Sequence, residues 1–388
     1  MKNKYKDIQN TQYNIDQSGD NWTEKTFKYP QKLIRVATCF SGIGAIEYAL
    51  RKLNLNSQIV FAGDIDQDCK KAYFANYEIT ENRWHNDIHD FNASTFYNQV
   101  DLLVGGAPCQ AFSIRGKRGG FEDTRGTLFR EFARVIKECQ PKIFIFENVK
   151  GILNHDKGNT WSVIENTFEN YCGYDVYYQI LNSRNYGIPQ NRERVFCVGF
   201  KNETDFKYPM PIPLMKSIHD FLDEKVDSKY ILHEKGVHFI TRSINHDKSY
   251  TQINGEVQLC QKRNQQFNWH GDFIFHPVLG KESSWECIYD VNQFEEHYFI
   301  NKDLKKYVVT LDPNSNLNML KGTTLKFNDS KGIFRKLTPR ECLRLMGFGN
   351  DFKIEVSDTA CYKQSGNSIV VNVLMALLKQ IDITKYGI

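Results

Sequence analysis

The chain has 388 residues, 41% of them hydrophobic and 25% charged, at a net charge of only +4; this describes a soluble globular protein with room for two domains and a sizeable core, and any nucleic-acid surface must be a local patch. Ten cysteines without a CxxC pair argue against a zinc site and a disulfide framework, and for reduced thiols in a cytoplasmic setting. The polar start and the lack of a transmembrane-length apolar run exclude a leader and a membrane partner from the expectation.

Residues 1–30 read as a polar extension. From Leu33 to Phe40 a β-rich run leads into the tight turn Ser41-Gly42-Ile43-Gly44, and Ile46 to Leu53 has helical spacing. Strand, glycine turn and helix are the opening of a doubly wound α/β domain. A second strand over Gln58–Ala62 ends at Asp64 and Ile65, with a helix through Tyr77. Then come a strand at Asp101–Val104, a helix from about Leu128 to Lys137, and a buried strand at Lys142–Phe146 that ends in Glu147-Asn148-Val149. A helix over Thr160–Tyr171 precedes strands at Tyr174–Leu181 and Arg194–Phe200. The spacing predicts a mostly parallel sheet covered by helices, with ligands at the strand ends. Near Tyr208–Pro213 prolines cluster, and 223–338 carries short β-like pieces, predicting a smaller mixed or mainly β second domain after a first domain over 31–222. A helix capped by Thr338, with Pro339 at its first position, opens a return segment over 339–388. It ends in an apolar-faced helix over Ser368–Ile381 that docks on the first domain.

Several short stretches carry chemistry. Cys109 follows Gly105-Gly106-Ala107-Pro108 at the end of a buried strand, where an α/β sheet presents reactive groups. Its thiolate is a nucleophile if its surroundings activate it, and a small buried apolar residue otherwise. Gly42 and Gly44 invite a dinucleotide, but Glu47 holds the place of the third glycine and is hostile to a pyrophosphate. A nucleoside-type, cationic ligand such as S-adenosylmethionine fits better, with Asp64 on ribose hydroxyls, Asp87 beside Ile88 on an adenine amine, and Phe40 against a sulfonium. Packing glycines and solvated carboxylates explain these residues equally well in isolation. Glu147 at a buried strand end is desolvated, which favours its protonated form. Arg192 and Arg194 lie on one side of an entering strand and suit a phosphate or a base carbonyl; a surface pair with Glu193 is the plainer alternative. Arg115-Gly116-Lys117-Arg118 forms a basic loop able to close over a phosphate backbone. Gln261 to Gln266 and Trp269 offer groups able to read base edges. No histidine or cysteine spacing calls for a metal.

These pieces, in this order, resemble the bacterial DNA (cytosine-5) methyltransferases, especially the compact modification enzymes that partner restriction endonucleases. The motifs are Phe40 to Gly44, Gly106 to Ser113, Glu147-Asn148-Val149, Gln190 to Arg194, Arg340-Glu341-Cys342 and Gln364 to Ser368. The resemblance implies double-stranded DNA between two domains, a flipped cytosine, and methyl transfer from S-adenosylmethionine with S-adenosylhomocysteine as product. It implies attack by Cys109 on C6, Glu147 on the ring N3 and amine, Arg194 on the base carbonyl and Arg192 close by. Phe40, Asp64, Ile65, Asp87, Pro108, Leu128 and Asn367 match the family's cofactor positions, with Gln110, Ser113 and Arg115 on the DNA side. Arg115 departs from the small residue of close relatives. Thr310-Leu311, or else Thr324-Leu325, is the candidate for the Thr-Leu landmark of the recognition domain. A cognate restriction endonuclease is the implied functional partner. The alternative is an RNA cytosine-5 methyltransferase, since the tRNA-directed branch shares the Pro-Cys and Glu-Asn-Val motifs; the long second domain favours duplex DNA. A nicotinamide oxidoreductase leaves Cys109 unexplained.

Overall fold

The structure is a computed structural model that describes residues 21–107, 128–232, 234–240, 248, 250–264, 269–277, 297–301, 306–310, 318–320 and 332–388. Seven strands form one sheet: β1 (Ile34–Cys39), β2 (Ser57–Gly63), β3 (Trp84–His85), β4 (Leu102–Gly105), β5 (Ile143–Val149), β6 (Asp175–Asn182) and β7 (Glu193–Phe200). Their order across the sheet is β3-β2-β1-β4-β5-β7-β6. The central strands are apolar on both faces, as a parallel sheet between helix layers requires. Alternation then sorts each strand. Val36, Leu102, Val104, Ile143 and Ile145 point into one core, while Ala37, Leu103, Phe144 and Phe146 point into the other.

Helix α1 (Ala45–Lys52) lies on the first face, and α2 (Gln67–Asn76) follows β2 with Asp66 as its cap, accepting from the Asp68 and Cys69 amides. Helices α3 (Leu128–Cys139) and α4 (Asn159–Asn166) cover the second face through Phe129, Phe132 and Trp161. β3, only two residues long, was not anticipated; it extends the sheet beside β2 and carries the chain to Asp87. The strands from β3 to β5 are parallel, but β7 is antiparallel to both of its neighbours.

Between 223 and 338 the described elements are a 3-10 turn (Ser228–Tyr230), α5 (Glu234–Ile240) and short strands. β8 (Thr251–Ile253), β9 (Gly271–Pro277) and β13 (Gly332–Lys336) form one three-stranded sheet, and β10 (His297–Asn301), β11 (Lys306–Thr310) and β12 (Asn318–Leu320) form another. Thr310 closes β11, whereas Leu311 and Thr324-Leu325 lie outside the described residues. Helix α6 (Pro339–Arg344) starts as anticipated: Thr338 Oγ1 accepts from the Glu341 amide and Glu341 Oε2 accepts from the Thr338 amide, a capping box. Glu341 also takes the buried Arg335 in a two-pronged pair, both contacts 2.8 Å.

The end of the chain differs from expectation in one respect. Asp358–Asn367 is a helix of its own, α7, and the terminal helix α8 spans Val371–Ile381, beginning after Ser368 has turned extended. Leu374 and Leu377 of α8 pack in the same core as Ile46 and Leu50 of α1. The part of the polar extension within the described residues is tied down. Trp22 is buried in this core, and the Tyr29 amide donates to Thr384 Oγ1 at 3.1 Å.

Candidate active site

The parallel strands β1, β4 and β5 end side by side: register pairs Cys39 with Gly105 and Gly105 with Phe146. Just beyond those ends lies a cleft of about 470 Å³, partly continuous with solvent, lined among others by Phe40, Gly42, Glu47, Gly106, Glu147 and Asn367. The turn at its floor is sharply constrained. Phe40 holds φ 55 and Gly44 φ 76, a region costly for most side chains. A Cβ on Gly44 would also stand 2.2 Å from the Tyr77 ring, so only glycine fits there. Ser41 ties the turn to β2 through Gly63, and the Gly42 amide donates to Asp64 Oδ2 at 2.9 Å.

The anticipated cofactor residues are distributed around this cleft. Phe40, Gly42 and Asn367 line it. Asp64 stands behind Gly42, and burial raises its pKa. Gly44 caps α1, and Ile65 is 73% exposed beside Asp64. Asp87 accepts from its own turn, the His89 amide at 3.0 Å and the His89 ring at 2.7 Å. Ile88 is buried and Leu128 half-buried, both in the apolar cluster that Phe40 joins. Pro108, Cys109, Gln110, Ser113 and Arg115 lie outside the described residues, as does the rest of the basic loop.

Glu147 is held at the end of β5 with 13% of its side chain exposed, and Arg194 Nε lies 3.2 Å from its Oε1. Burial raises the Glu147 pKa, while the Arg194 and Arg192 charges oppose the rise. The meeting depends on the reversal of β7. Register places Arg194 opposite Val149; a parallel β7 of eight residues would start at the far edge of the sheet, about 25 Å away at 3.3 Å per residue. Asn148 turns from the site, and its Nδ2 donates to the Ala107 carbonyl at 2.9 Å, fixing the backbone two residues before Cys109.

Arg192 is disposed differently from Arg194. It is buried, and its guanidinium donates to the carbonyls of Gln261 (2.7 Å), Gly366 (3.1 Å) and Ser368 (2.9 Å). Desolvation lowers its pKa to about 10, with the neighbouring Arg194 charge adding to the effect. Arg192 therefore ties together β7's approach, the 260s loop and the end of α7. Gln261 is not available as a base-reading group: it is 2% exposed, and its amide nitrogen donates to Ser365 Oγ at 2.6 Å. Gly366 is glycine for the same junction, because a Cβ there would meet Lys262 and Arg263 backbone at 2.5 Å.

Two groups were missed as members of the site. Cys260 Sγ lies 3.8 Å from Arg194 Nη1 and 3.9 Å from Arg192 Nη1; nothing in its local sequence links it to residues more than sixty positions earlier. Glu47, first read only as an obstacle to a pyrophosphate, lines the cleft. Its signal was present, since an acidic residue at an apolar helical position demands a partner. Among the described residues no three His, Cys, Asp or Glu side chains gather as for a metal, and no helix is long and apolar enough to cross a membrane.

A sheet of this order, with its cleft at the strand ends and an acid–arginine pair beside it, defines the class. The family model described as C-5 cytosine-specific DNA methylase matches residues 34–382. The chain is 35% identical over 348 residues to the type II methyltransferase M.HpaII of Haemophilus parainfluenzae, covering 88% of this chain and 87% of the relative. It is 35% identical over 352 residues to M.SsoII of Shigella sonnei, with 89% and 79% covered. The fold alone is shared with a solved DNMT2 mutant of Spodoptera frugiperda, at 20% identity and TM-score 0.64 over 90% of this chain and 99% of that one. The chain belongs to the C-5 cytosine-specific DNA methylases. It is an S-adenosylmethionine-dependent DNA (cytosine-5-)-methyltransferase of the type found in type II restriction–modification systems.

Proposed function

We propose that this enzyme methylates C5 of a cytosine flipped out of a specific duplex DNA sequence, through a transient bond from Cys109 to C6, in the service of a cognate restriction endonuclease. The observation that carries this reading is Glu147: a carboxyl group with a raised pKa, paired to Arg194, on the strand beside the one that leads to Cys109. A desolvated acid holds its proton more readily and can donate to the ring N3. Donation there draws electrons from the ring and makes C6 electrophilic. Cys109 thiolate then adds at C6, and the displaced C5=C6 pair makes C5 the nucleophile. Arg194 is paired with the Glu147 side chain and is assigned to the base carbonyl.

The cleft fits S-adenosylmethionine. Among the described residues it holds an aromatic ring at Phe40, two carboxyl groups and no basic side chain, which suits a ligand bearing a sulfonium and an ammonium. When bound, it supplies the electrophilic methyl group and leaves as S-adenosylhomocysteine. Phe40, Gly42 and Asn367 would hold it, with Asp64 and Asp87 directed to its nucleoside end. After transfer, loss of the C5 proton to water restores the double bond and expels the Cys109 thiolate. Gln110, Ser113 and Arg115 are assigned to the DNA.

The test offers tritium-labelled methyl donor with duplex DNA and with transfer RNA in parallel, followed by bisulfite sequencing of plasmid from expressing cells. Label in duplex DNA, at cytosines of one sequence context, is expected. Label confined to RNA would replace this reading with the RNA alternative.

A further inference from the structure

We propose that Glu47 is the carboxylate that receives the α-ammonium group of the methyl donor's amino-acid end. This rests on the reading that the cleft takes S-adenosylmethionine. Glu47 stands in the first turn of α1 and is 5% exposed. Its Oε1 is well supplied, accepting from Tyr73 hydroxyl at 2.6 Å and Thr38 hydroxyl at 3.1 Å. Its Oε2, equally buried, has no hydrogen-bond partner among the described residues. Among the described residues the groups that act on this carboxylate are hydroxyls and backbone, and none is a cation.

A buried carboxylate without a counter-charge is expensive for a fold to keep. The other acid of the cleft, Glu147, has Arg194. Glu47 lines the same cleft, and among the described residues its charged lining consists of these two acids. The missing cation is therefore one that arrives with the ligand. The donor carries two positive centres, the sulfonium beside the methyl group and the ammonium at the far end of its amino-acid chain. Glu147 belongs to the end of the cleft where the base reacts. Glu47, rooted in α1 behind the Phe40–Gly44 turn, is left for the ammonium. In this arrangement Thr38 and Tyr73 hold one oxygen so that the other faces the ligand, and Glu47 selects for an intact amino acid rather than for a nucleoside alone.

Titration calorimetry with S-adenosylhomocysteine and its deaminated analogue, which lacks only the amino group, tests this on wild-type, Glu47→Gln and Glu47→Asp proteins. Wild-type protein is expected to prefer the intact ligand by about tenfold or more, and Glu47→Gln to bind both equally. Glu47→Asp, which withdraws the charge by one methylene, should cut the preference at least threefold, and this carries the test if the Gln variant does not fold. 5′-Methylthioadenosine, which lacks the whole amino-acid end, should bind wild-type and Glu47→Gln alike. An equal affinity of wild-type protein for the two ligands, or an unreduced preference in either variant, would overturn the assignment. Failure of wild-type protein to bind any of the three would instead defeat the cofactor reading beneath it.

Discussion

Glu147 and Glu47 are both buried acids in one cleft, yet their surroundings assign them different work. Glu147 meets an arginine at 3.2 Å; removing its ionisable proton while keeping its shape should stop the chemistry and leave binding intact. Glu147→Gln is expected to lower the rate of methyl transfer by roughly 10²–10⁴-fold, the usual worth of a positioned acid or base, with DNA affinity in gel-shift assays little changed. Glu47 has its pKa raised to about 6 by burial, against an ordinary 4.5. A raised acid pKa means that the folded state resists ionisation. Stability is thus lost as pH climbs from 4.5 through 6, and above that the full cost is present, about 2 kcal/mol at 1.36 kcal/mol per pKa unit. Glu47→Gln removes that cost, so urea unfolding of the ligand-free variant at pH 7.5 should show a gain of up to about 2 kcal/mol, shrinking toward pH 4.5. A variant that is less stable at both pH values would contradict this assignment of the shift.

At the scale of elements, the junction made by Arg192 matters most. One guanidinium reaches carbonyls on the 260s loop and at the end of α7, next to Asn367 in the cleft. Hydrogen bonds from a charged group contribute about 1.5–3 kcal/mol each, so Arg192→Ala should destabilise by several kcal/mol and weaken cofactor binding together. Gly366→Ala probes the same junction with a single methyl group: the loop backbone, 2.5 Å from the added carbon, has to move. A loss of at least tenfold in S-adenosylhomocysteine affinity, with little change in far-UV circular dichroism, is expected; unchanged affinity would show that Asn367 does not depend on the crossing.

These elements also show where sequence is legible. The runs that became β1, β4 and β5 are apolar because both their faces are covered, and the glycine turn after β1 is local, so all were readable. The capping box at Thr338 needed only three residues of context. The reversed direction of β7 has no local signature, and neither does the two-residue β3. Helix α7 hid because its buried face includes Gln364, Ser365 and Gly366, polar or small groups that pack against the 260s loop rather than an apolar layer. Cys260 and the burial of Gln261 are products of the same long-range contact. Glu147 and Arg194, which the structure brings together, could be named from the sequence; Cys260 beside Arg194 could not.

At the scale of the whole molecule, the α/β body supplies the cleft and the acid–arginine pair, and the return helices close it from behind through α8 on α1. The short-stranded region from 223 to 338 comes to the site through the 260s loop, where Arg192 and Arg194 meet it. The central claim is that catalysis runs through a bond from Cys109 to the base, and oligonucleotides carrying 5-fluorocytosine test it directly, because fluorine at C5 prevents the elimination that frees the enzyme. Duplexes containing the target sequence, incubated with methyl donor, should yield a denaturation-resistant protein–DNA adduct whose cross-linked peptide contains Cys109, and Cys109→Ser should yield none. Absence of the adduct on a substrate that is methylated normally without fluorine, or undiminished methylation by Cys109→Ser, would contradict the account.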